Sequence, residues 1–346
     1  MMVRRNQMAA GLDRIGLTPL TLSMLGRSWW PWPRLTVLLY HRVNRPDEIG
    51  GLDPGLVDAT PEEFDAQMSI VARYFSPVTI DQIVEARHGG RLPSNAAIVT
   101  FDDGYRDNYQ HAVPILKRHG LTAVFFVSTD YLTERRLFWW EIIRMVVLRS
   151  TLSEITLGYP FPCAFPITDE AQKATAVNKV IRIVKSSYAM DLPRFMEELY
   201  RGCGVSWSRQ EDNDEADRSI LTWDDVRDMR AAGMDVQSHT RTHRVLGTLP
   251  DEAFENELGG SKRELEARID APVRTIAYPV GKSVAAEPRI REALSKAGYE
   301  MGFTSSPGLV RMNGDEDYLD LKRIPIDRGI SAATFRGALA LPWLAG

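Results

Sequence analysis

The chain has 346 residues, of which 44% are hydrophobic and 25% are charged. A chain of this length and composition can bury the core of one large or two ordinary globular domains. The formal net charge of −4 lacks the basic excess of most nucleic-acid-binding proteins, so we expect no nucleic-acid partner. Two cysteines, Cys163 and Cys203, do not define a disulfide framework, and we expect reduced thiols.

Residues 1–34 are interpreted as an N-terminal arm. The arm lacks the continuous apolar stretch and small-residue cleavage site of a signal peptide, so we expect a cytoplasmic location. Trp29, Trp30 and Trp32 lie between two arginines, a pattern that suits peripheral contact with a membrane surface. The alternative is that the arm packs its indole rings on the folded domain.

From residue 35 onwards, apolar runs rich in β-branched residues alternate with amphipathic helical patterns. This alternation is typical of a parallel sheet. About seven strands favour a β/α barrel, and an open doubly wound sheet is the alternative, because periodicity does not distinguish closed from open sheets. We expect strands at residues 35–41, 96–101, 122–127, 234–238, 275–279, 301–304 and 322–327, and helices at 60–74, 80–86, 105–119, 223–232, 251–268 and 287–297.

The alternation stops between residues 131 and 221. This segment contains several prolines, a helical pattern near 171–185 and the acidic run Glu211–Glu215, which we expect to be a mobile loop. A connection this long is interpreted as a mostly helical insertion. It interrupts a domain formed by residues 35–130 and 222–346, and either shapes the substrate site as a lid or is a passive subdomain.

Two strand ends carry residues suited to binding a metal ion. Asp102 and Asp103 are adjacent carboxylates that repel each other, so placing both in one site requires a cation or a strong hydrogen-bond donor nearby. His239 and His243 supply two imidazoles that share one face in a helical or turn-like segment. Asp103 and the two histidines would leave coordination positions open for water and substrate, as a catalytic metal site requires. Asp102 would then be free to act as the general base.

Further candidate residues follow other strands. His41 ends the first strand and is the candidate general acid, which must protonate the leaving group from the side opposite the metal. The turn Tyr278-Pro279-Val280-Gly281 follows a later strand, and its backbone N–H groups, that of Val280 in particular, are candidate oxyanion donors.

The motif Thr100-Phe101-Asp102-Asp103-Gly104, joined to Ser238-His239-Thr240-Arg241-Thr242-His243, resembles the polysaccharide deacetylases of the NodB-homology type, carbohydrate esterase family 4. The resemblance extends from about residue 35 to 327, outside the insertion. It implies a distorted (β/α)7 barrel that hydrolyses an N-acetyl group on an amino sugar. It also implies a divalent metal, usually Zn²⁺ with Co²⁺ or Ni²⁺ as alternatives, bound by Asp103, His239 and His243, with Asp102 as the base.

The sequence departs from the family pattern in ways that point to one branch of it. Ala277 occupies the position of the family's arginine that steadies the base, and Arg323 and Arg328 are candidate substitutes. The family's C-terminal leucine-x-histidine motif is absent, but residues 39–41 (Leu-Tyr-His) have its spacing near the N-terminus. This arrangement resembles the rearranged branch typified by the poly-β-1,6-N-acetylglucosamine deacetylases. Tyr278 and Asp327 are further supporting candidates.

We therefore expect a metal-dependent hydrolase that removes an N-acetyl group from an amino sugar in a polysaccharide or its precursor. One alternative is a deformylase or another C–N hydrolase that acts on a lipid-linked sugar or a small amide. The other is a carbohydrate-binding protein without catalytic activity.

Overall fold

Seven parallel strands form a closed barrel in the computed structural model, which describes residues 11, 13, 16–25, 34–312 and 316–340. The first strand pairs with both the second and the last, and this double pairing closes the barrel. The predicted barrel is thus confirmed, and the open sheet is wrong. The strands are β1 (Arg34–Tyr40), β2 (Asn95–Phe101), β3 (Ala123–Val127), β4 (Asp235–Ser238), β5 (Thr275–Ala277), β6 (Met301–Pro307) and β7 (Leu321–Pro325), in the spatial order β1-β7-β6-β5-β4-β3-β2.

The barrel is irregular on the side of its later strands. β1 and β2 pair over seven residues in continuous register, from Arg34 opposite Asn95 to Tyr40 opposite Phe101. In contrast, β4 and β5 share only the pair Ser238 and Ile276, and the register between β6 and β7 shifts. The barrel is therefore distorted, as the resemblance implied, and its first three strands form the most regular part of its wall.

The barrel interior is filled by apolar side chains from alternate strand positions. Phe126 on β3 and Phe303 on β6 pack with their ring centroids 5.4 Å apart, although these strands are not neighbours. The guanidinium of Arg323 on β7 lies 5.9 Å from the centroid of the Phe126 ring. A polar layer therefore follows the apolar core towards the carboxyl ends of the strands, where β/α barrels hold their active sites.

Helices surround the strands, and several begin as the sequence predicts. Thr60 and Thr222 each form a capping box with the residue three positions later. The helices predicted at 105–119 and 251–268 are interrupted, because each contains a turn of π-helix. The helix Thr129–Glu134 crosses the start of the segment 131–221. The helices outside this segment are Leu17–Leu25, Pro61–Tyr74, Ile80–Arg87, Val113–Arg118, Trp223–Ala231, Ser261–Ile269, Pro288–Lys296 and Ala332–Ala340.

The segment 131–221 is mostly helical, as expected, but its acidic run is not a loop. This run lies in the helix Arg209–Ser219, which Ser208 caps. Asp212 is buried and accepts a hydrogen bond of 2.6 Å from the backbone N–H of Leu137. The mobile-loop prediction is wrong because this contact fixes the run. The other elements are the helices Trp139–Arg149, Glu170–Ser186 and Leu192–Cys203 and the hairpin of Glu154–Leu157 with Cys163–Pro166.

The tryptophans of the N-terminal arm, Trp29, Trp30 and Trp32, lie outside the described residues. Membrane contact through them, the cytoplasmic location and the exact domain limits therefore stay predictions. Among the residues that are described, no helix is long and apolar enough to cross a membrane.

Candidate active site

The carboxyl ends of β1 to β4 bring the predicted residues together at one edge of the barrel. The N–H of Asp102 donates a hydrogen bond of 2.9 Å to the carbonyl of Tyr40, so His41 and Asp102 leave adjacent strands at the same level. On the other side, the N–H of His239 donates to the carbonyl of Val127 at 2.9 Å. His41 is therefore a neighbour of the aspartate pair along the wall rather than a residue on the far side of the barrel mouth.

Asp103, His239 and His243 form a buried cluster with the geometry of a metal site. Oδ1 of Asp103 lies 3.4 Å from Nε2 of His239 and 3.2 Å from Nε2 of His243. All three ligand atoms lie within 4.8 Å of one another. Donor atoms that share one ion with bonds of about 2.1 Å have separations of this size. The donor set fits a divalent transition metal such as Zn²⁺.

Both imidazoles are held in the form that binds a metal. Nδ1 of His239 donates a hydrogen bond of 2.8 Å to the carbonyl of Ala277, which leaves the lone pair of Nε2 facing Asp103. Burial lowers the pKa of His243 to about 4, so its ring is neutral at physiological pH. Burial raises the pKa of Asp103, but its close contacts with the two histidines outweigh this effect and hold the pKa well below its usual range.

The backbone is strained at several residues of the cluster. Asp103, Thr240 and His243 have φ angles of 78°, 65° and 54°, a region that residues other than glycine rarely adopt. Such conformations cost on the order of 1–3 kcal/mol each and persist where the surrounding structure enforces them. Residues 239–243 therefore form a turn rather than a helix, and this turn directs both imidazoles at Asp103.

Asp102 is separated from the metal cluster by its pairing with Arg323. The two guanidinium nitrogens Nη1 and Nη2 of Arg323 bind the two carboxylate oxygens of Asp102 at 2.7 and 2.6 Å. Arg323 is fully buried and also donates through Nε to the carbonyl of Thr304 at 2.8 Å. Burial raises the pKa of Asp102, but the positive charge of Arg323 and its hydrogen bonds outweigh this effect and lower the pKa below its usual range. Asp102 is thus held ionised.

His41 pairs with Asp58, which lies in the short strand Val57–Ala59. Nδ1 of His41 is 3.1 Å from Oδ2 of Asp58, and the same oxygen accepts a short hydrogen bond from the backbone N–H of His41. Burial lowers the pKa of His41, but the charge and hydrogen bond of Asp58 outweigh that effect, with smaller contributions from Asp103 and Asp102. The pKa of His41 rises to about 9, so the imidazole is protonated at neutral pH.

A comparison with known families decides the identity of this domain. The model of the family described as polysaccharide deacetylase matches residues 89–154 and 203–302, which hold both the aspartate pair and the two histidines. The chain contains a polysaccharide deacetylase domain. The resemblance read from the motifs is thereby confirmed. The match leaves out residues 155–202, which lie within the insertion, as well as His41 and Arg323.

Similar proteins carry names from the same family. The "Putative polysaccharide deacetylase YxkH" of Bacillus subtilis is 21% identical over 87% of this chain and 75% of its own length. The poly-beta-1,6-N-acetyl-D-glucosamine N-deacetylase of Escherichia coli is 31% identical over 38% of this chain, but the aligned part is only 22% of that protein. The Streptococcus pyogenes deacetylase PplD, solved with acetate, superposes with a TM-score of 0.56 at 19% identity, over 87% of this chain and 95% of PplD. This last likeness shows that the two proteins share a fold.

Within the part of the chain that the structure describes, the other predicted residues form no hydrogen bond or ion pair with the cluster. Val280 lies in the predicted turn with φ of 63° and is 38% exposed. The hydroxyl of Tyr278 donates to the carbonyl of Leu319, a packing role. Arg328 donates to the carbonyl of Pro54 instead of Asp102, so of the two candidate arginines Arg323 is the one that pairs with Asp102. Burial raises the pKa of Asp58, and the negative charge of the exposed Asp327 raises it further.

Sequence reasoning missed two residues that support the site. Asp58 follows no recognisable motif, and only the pairing of two short strands after His41 brings it to the imidazole. Trp140, from the insertion, lies against the ring of His243 with centroids 4.3 Å apart. The aromatic run at residues 138–140 was visible in the sequence, but nothing in its spacing indicates which histidine it would contact.

Proposed function

We propose that this protein is a metal-dependent N-deacetylase that removes the acetyl group from an amino sugar in a polysaccharide or its precursor. The observation that carries this proposal is the meeting of three different groups at one barrel edge: a cluster of metal-binding donor atoms, an ionised carboxylate outside that cluster, and a protonated imidazole. Metal-assisted hydrolysis of an amide uses a Lewis acid, a general base and a general acid, and these three groups can fill those roles.

A divalent cation held by Asp103, His239 and His243, Zn²⁺ in the first instance and Co²⁺ or Ni²⁺ as alternatives, would supply a Lewis acid that polarises the acyl carbonyl. The residues themselves account for the proton transfers. Asp102 accepts a proton from the attacking water as its oxygen bonds to the acyl carbon. His41 donates a proton to the amide nitrogen as the C–N bond breaks. The immediate products are acetic acid, which ionises to acetate, and a free amine on the sugar. The proton that Asp102 gained returns to His41 through solvent, which restores both groups.

The turn at Val280 has a supporting role in this proposal. The loop follows β5, whose last residue, Ala277, accepts the hydrogen bond from His239. A backbone N–H at this place would add a hydrogen-bond donor to the negative charge that develops on the carbonyl oxygen. Peptide donors of this kind need no reorganisation during the reaction.

The two alternative functions predict different products. A deformylase or small-amide hydrolase would use the same residues but release formate or another acid. A carbohydrate-binding protein would require neither a free carboxylate outside the metal cluster nor a protonated histidine beside it. Asp102 and His41, each with its own buried partner, therefore favour catalysis over binding alone.

The test is a screen of acylated amino sugars with the metal-loaded full-length protein, in which released acetate and formate are measured separately. We expect acetate from N-acetylglucosamine oligomers. Asp102→Asn should lower kcat by about 10²–10⁴-fold, because the general base is lost, while the metal content of the protein stays the same. Release of formate alone would favour the first alternative. Binding of the oligomers without any acid release would favour the second.

A further inference from the structure

The end of a long helix in the insertion is fastened to the loop that carries His243. The N–H of Ala189, three residues after the helix Glu170–Ser186, donates a hydrogen bond of 2.8 Å to the carbonyl of Thr248. Both terminal nitrogens of the buried Arg244 lie 3.3 Å from the carbonyl of Met190. The segment that follows the helix is therefore fixed against the metal-binding loop.

The start of the same helix contacts the helix that carries Trp140. The helix Trp139–Arg149 presents Trp140 to the His243 ring near its first turn. Near its other end, the carbonyl of Leu148 accepts a hydrogen bond of 2.9 Å from Nζ of Lys173, which is close to the start of the helix Glu170–Ser186. The start of the second helix thus lies by the end of the first, and the contacts of Ala189 and Met190 place its last turn beside the loop that carries His243.

Lys185 occupies this last turn. It is half-buried, and within the described residues it donates no hydrogen bond and forms no salt bridge. Burial lowers the pKa of Lys185, against the charges of Asp103 and Asp53, which act to raise it, and its charge in turn contributes to the lowered pKa of His243. An ammonium group that is partly removed from water without a hydrogen-bonded partner is costly, and a bound anion would offset that cost.

The carboxylates around the site already have partners. Asp102 is paired with Arg323, Asp58 with His41, and Asp103 with the two imidazoles. Asp53, whose charge also acts on Lys185, accepts a hydrogen bond from the N–H of Gly55 and forms no salt bridge with the lysine within the described residues. The ammonium of Lys185 is therefore available to a ligand. Lysine is well suited to such a contact, because it binds phosphate and carboxylate groups as a mobile point charge.

We propose that Lys185 is a specificity-determining residue that binds an anionic substituent, a phosphate or a carboxylate, on the acylated amino sugar. The substrate class is then a charged amino sugar or oligosaccharide rather than a neutral polymer alone. This inference rests on the proposed function, because the charged sugar is a substrate of the proposed reaction. Binding of the charged sugar by Lys185 can nevertheless be measured without turnover.

The experiment compares kcat/KM for a neutral N-acetylglucosamine oligomer, the same oligomer with a terminal phosphate, and one with a carboxylate-bearing sugar. The wild-type protein should prefer at least one charged oligomer, and the preferred one identifies the anion. Lys185→Met should lower the ratio of charged to neutral kcat/KM by at least about tenfold, the size expected for one hydrogen bond to a charged group. Lys185→Arg should retain most of the preference.

The matched control is Lys179→Met, which removes the same charge from an exposed position on the same helix and should leave the ratio unchanged. The proposal is overturned if the wild-type protein shows no preference for either charged oligomer. It is also overturned if Lys185→Met lowers kcat/KM for all three oligomers equally, because the lysine would then act on the metal site and not on the substituent.

A binding measurement separates this inference from the proposed function. Dissociation constants for the charged and neutral oligomers are measured with metal-loaded protein that carries Asp102→Asn, with and without Lys185→Met. If no oligomer is hydrolysed by the wild-type protein, the proposed function is contradicted, yet a selective loss of charged-oligomer binding in the Lys185 variant still supports the role of the lysine. If the proteins with and without Lys185→Met bind the charged oligomers equally well, Lys185 has no role in binding the anionic substituent.

Discussion

At the scale of single residues, the site keeps its ionisable groups in different protonation states by giving each a different partner. The guanidinium of Arg323 holds Asp102 ionised, whereas the carboxylate of Asp58 holds His41 protonated. A hydrolase that works near neutral pH needs this combination of a free base and a charged acid. The environment of each side chain, more than its type, therefore assigns its role.

The pairing of His41 with Asp58 predicts the behaviour of the enzyme at alkaline pH. His41 acts as an acid only while it is protonated, so activity should fall as the pH rises through its pKa. Asp58→Asn removes the charge that raises this pKa. We expect the alkaline limb of the kcat/KM profile to move to lower pH by at least about one unit, because a neighbouring opposite charge shifts a pKa by one to three units.

The matched control is Asp65→Asn, which removes a carboxylate from a histidine pair outside the site. Oδ1 of Asp65 lies 2.7 Å from Nε2 of His119. This variant should keep the wild-type alkaline limb. An unchanged limb in Asp58→Asn as well would mean that His41 is not the group whose deprotonation limits the reaction.

At the scale of elements, the last barrel strand supplies the partner of Asp102, which follows the second strand. β7 and β2 do not pair with each other, since β1 lies between them, yet Arg323 from β7 reaches the carboxylate at the end of β2. The bond crosses the carboxyl end of the barrel just above the apolar core. Because Arg323 lies on the strand that closes the barrel, we infer that the position of Asp102 depends on barrel closure.

Removal of this arginine should affect stability and activity together. Arg323→Met leaves the buried carboxylate of Asp102 unpaired, and we expect a loss of about 3–5 kcal/mol in the free energy of unfolding near neutral pH. The paired Asp102 has a lowered pKa, so its contribution is present above the unfolded pKa and is lost as the pH falls through the folded one. The stability difference between variant and wild type should therefore shrink at acid pH. Denaturant unfolding at several pH values measures this.

Arg291→Met provides the comparison on the surface. Arg291 also binds a carboxylate with two bonds, at 2.8 and 2.9 Å to Asp317, but both side chains are about one-third exposed. Its loss should cost less than about 1 kcal/mol. A loss of similar size in both variants would contradict the account of Arg323. If Arg323→Met does not fold, Arg323→Lys, which keeps the charge without the paired bonds, should show reduced kcat in a folded protein.

At the scale of the whole molecule, barrel closure explains why an early histidine and a late arginine serve one site. The strand patterns and the two motifs were sufficient to predict the barrel and the cluster of Asp103, His239 and His243, because they are local features of the sequence. Arg323 was one of two candidates, and only the pairing of β1 with β7 shows which of them faces Asp102. Asp58 and Trp140 were not predicted, because their contacts depend on loop and insertion geometry that no periodicity records. The acidic helix was mistaken for a loop because its buried anchor, Asp212, looks like any other acidic residue in the sequence.

The dependence of turnover on a metal ion at Asp103, His239 and His243 is the central claim of this account. It is tested most directly by stripping the protein with a chelator, verifying metal content by elemental analysis, and measuring acetate release as Zn²⁺ is added back. We expect turnover to vanish with the metal and to return in proportion up to one equivalent. His243→Gln should lose most of its bound metal, and His119→Gln, outside the site, should not. Full turnover in protein from which the metal has been removed would contradict the account.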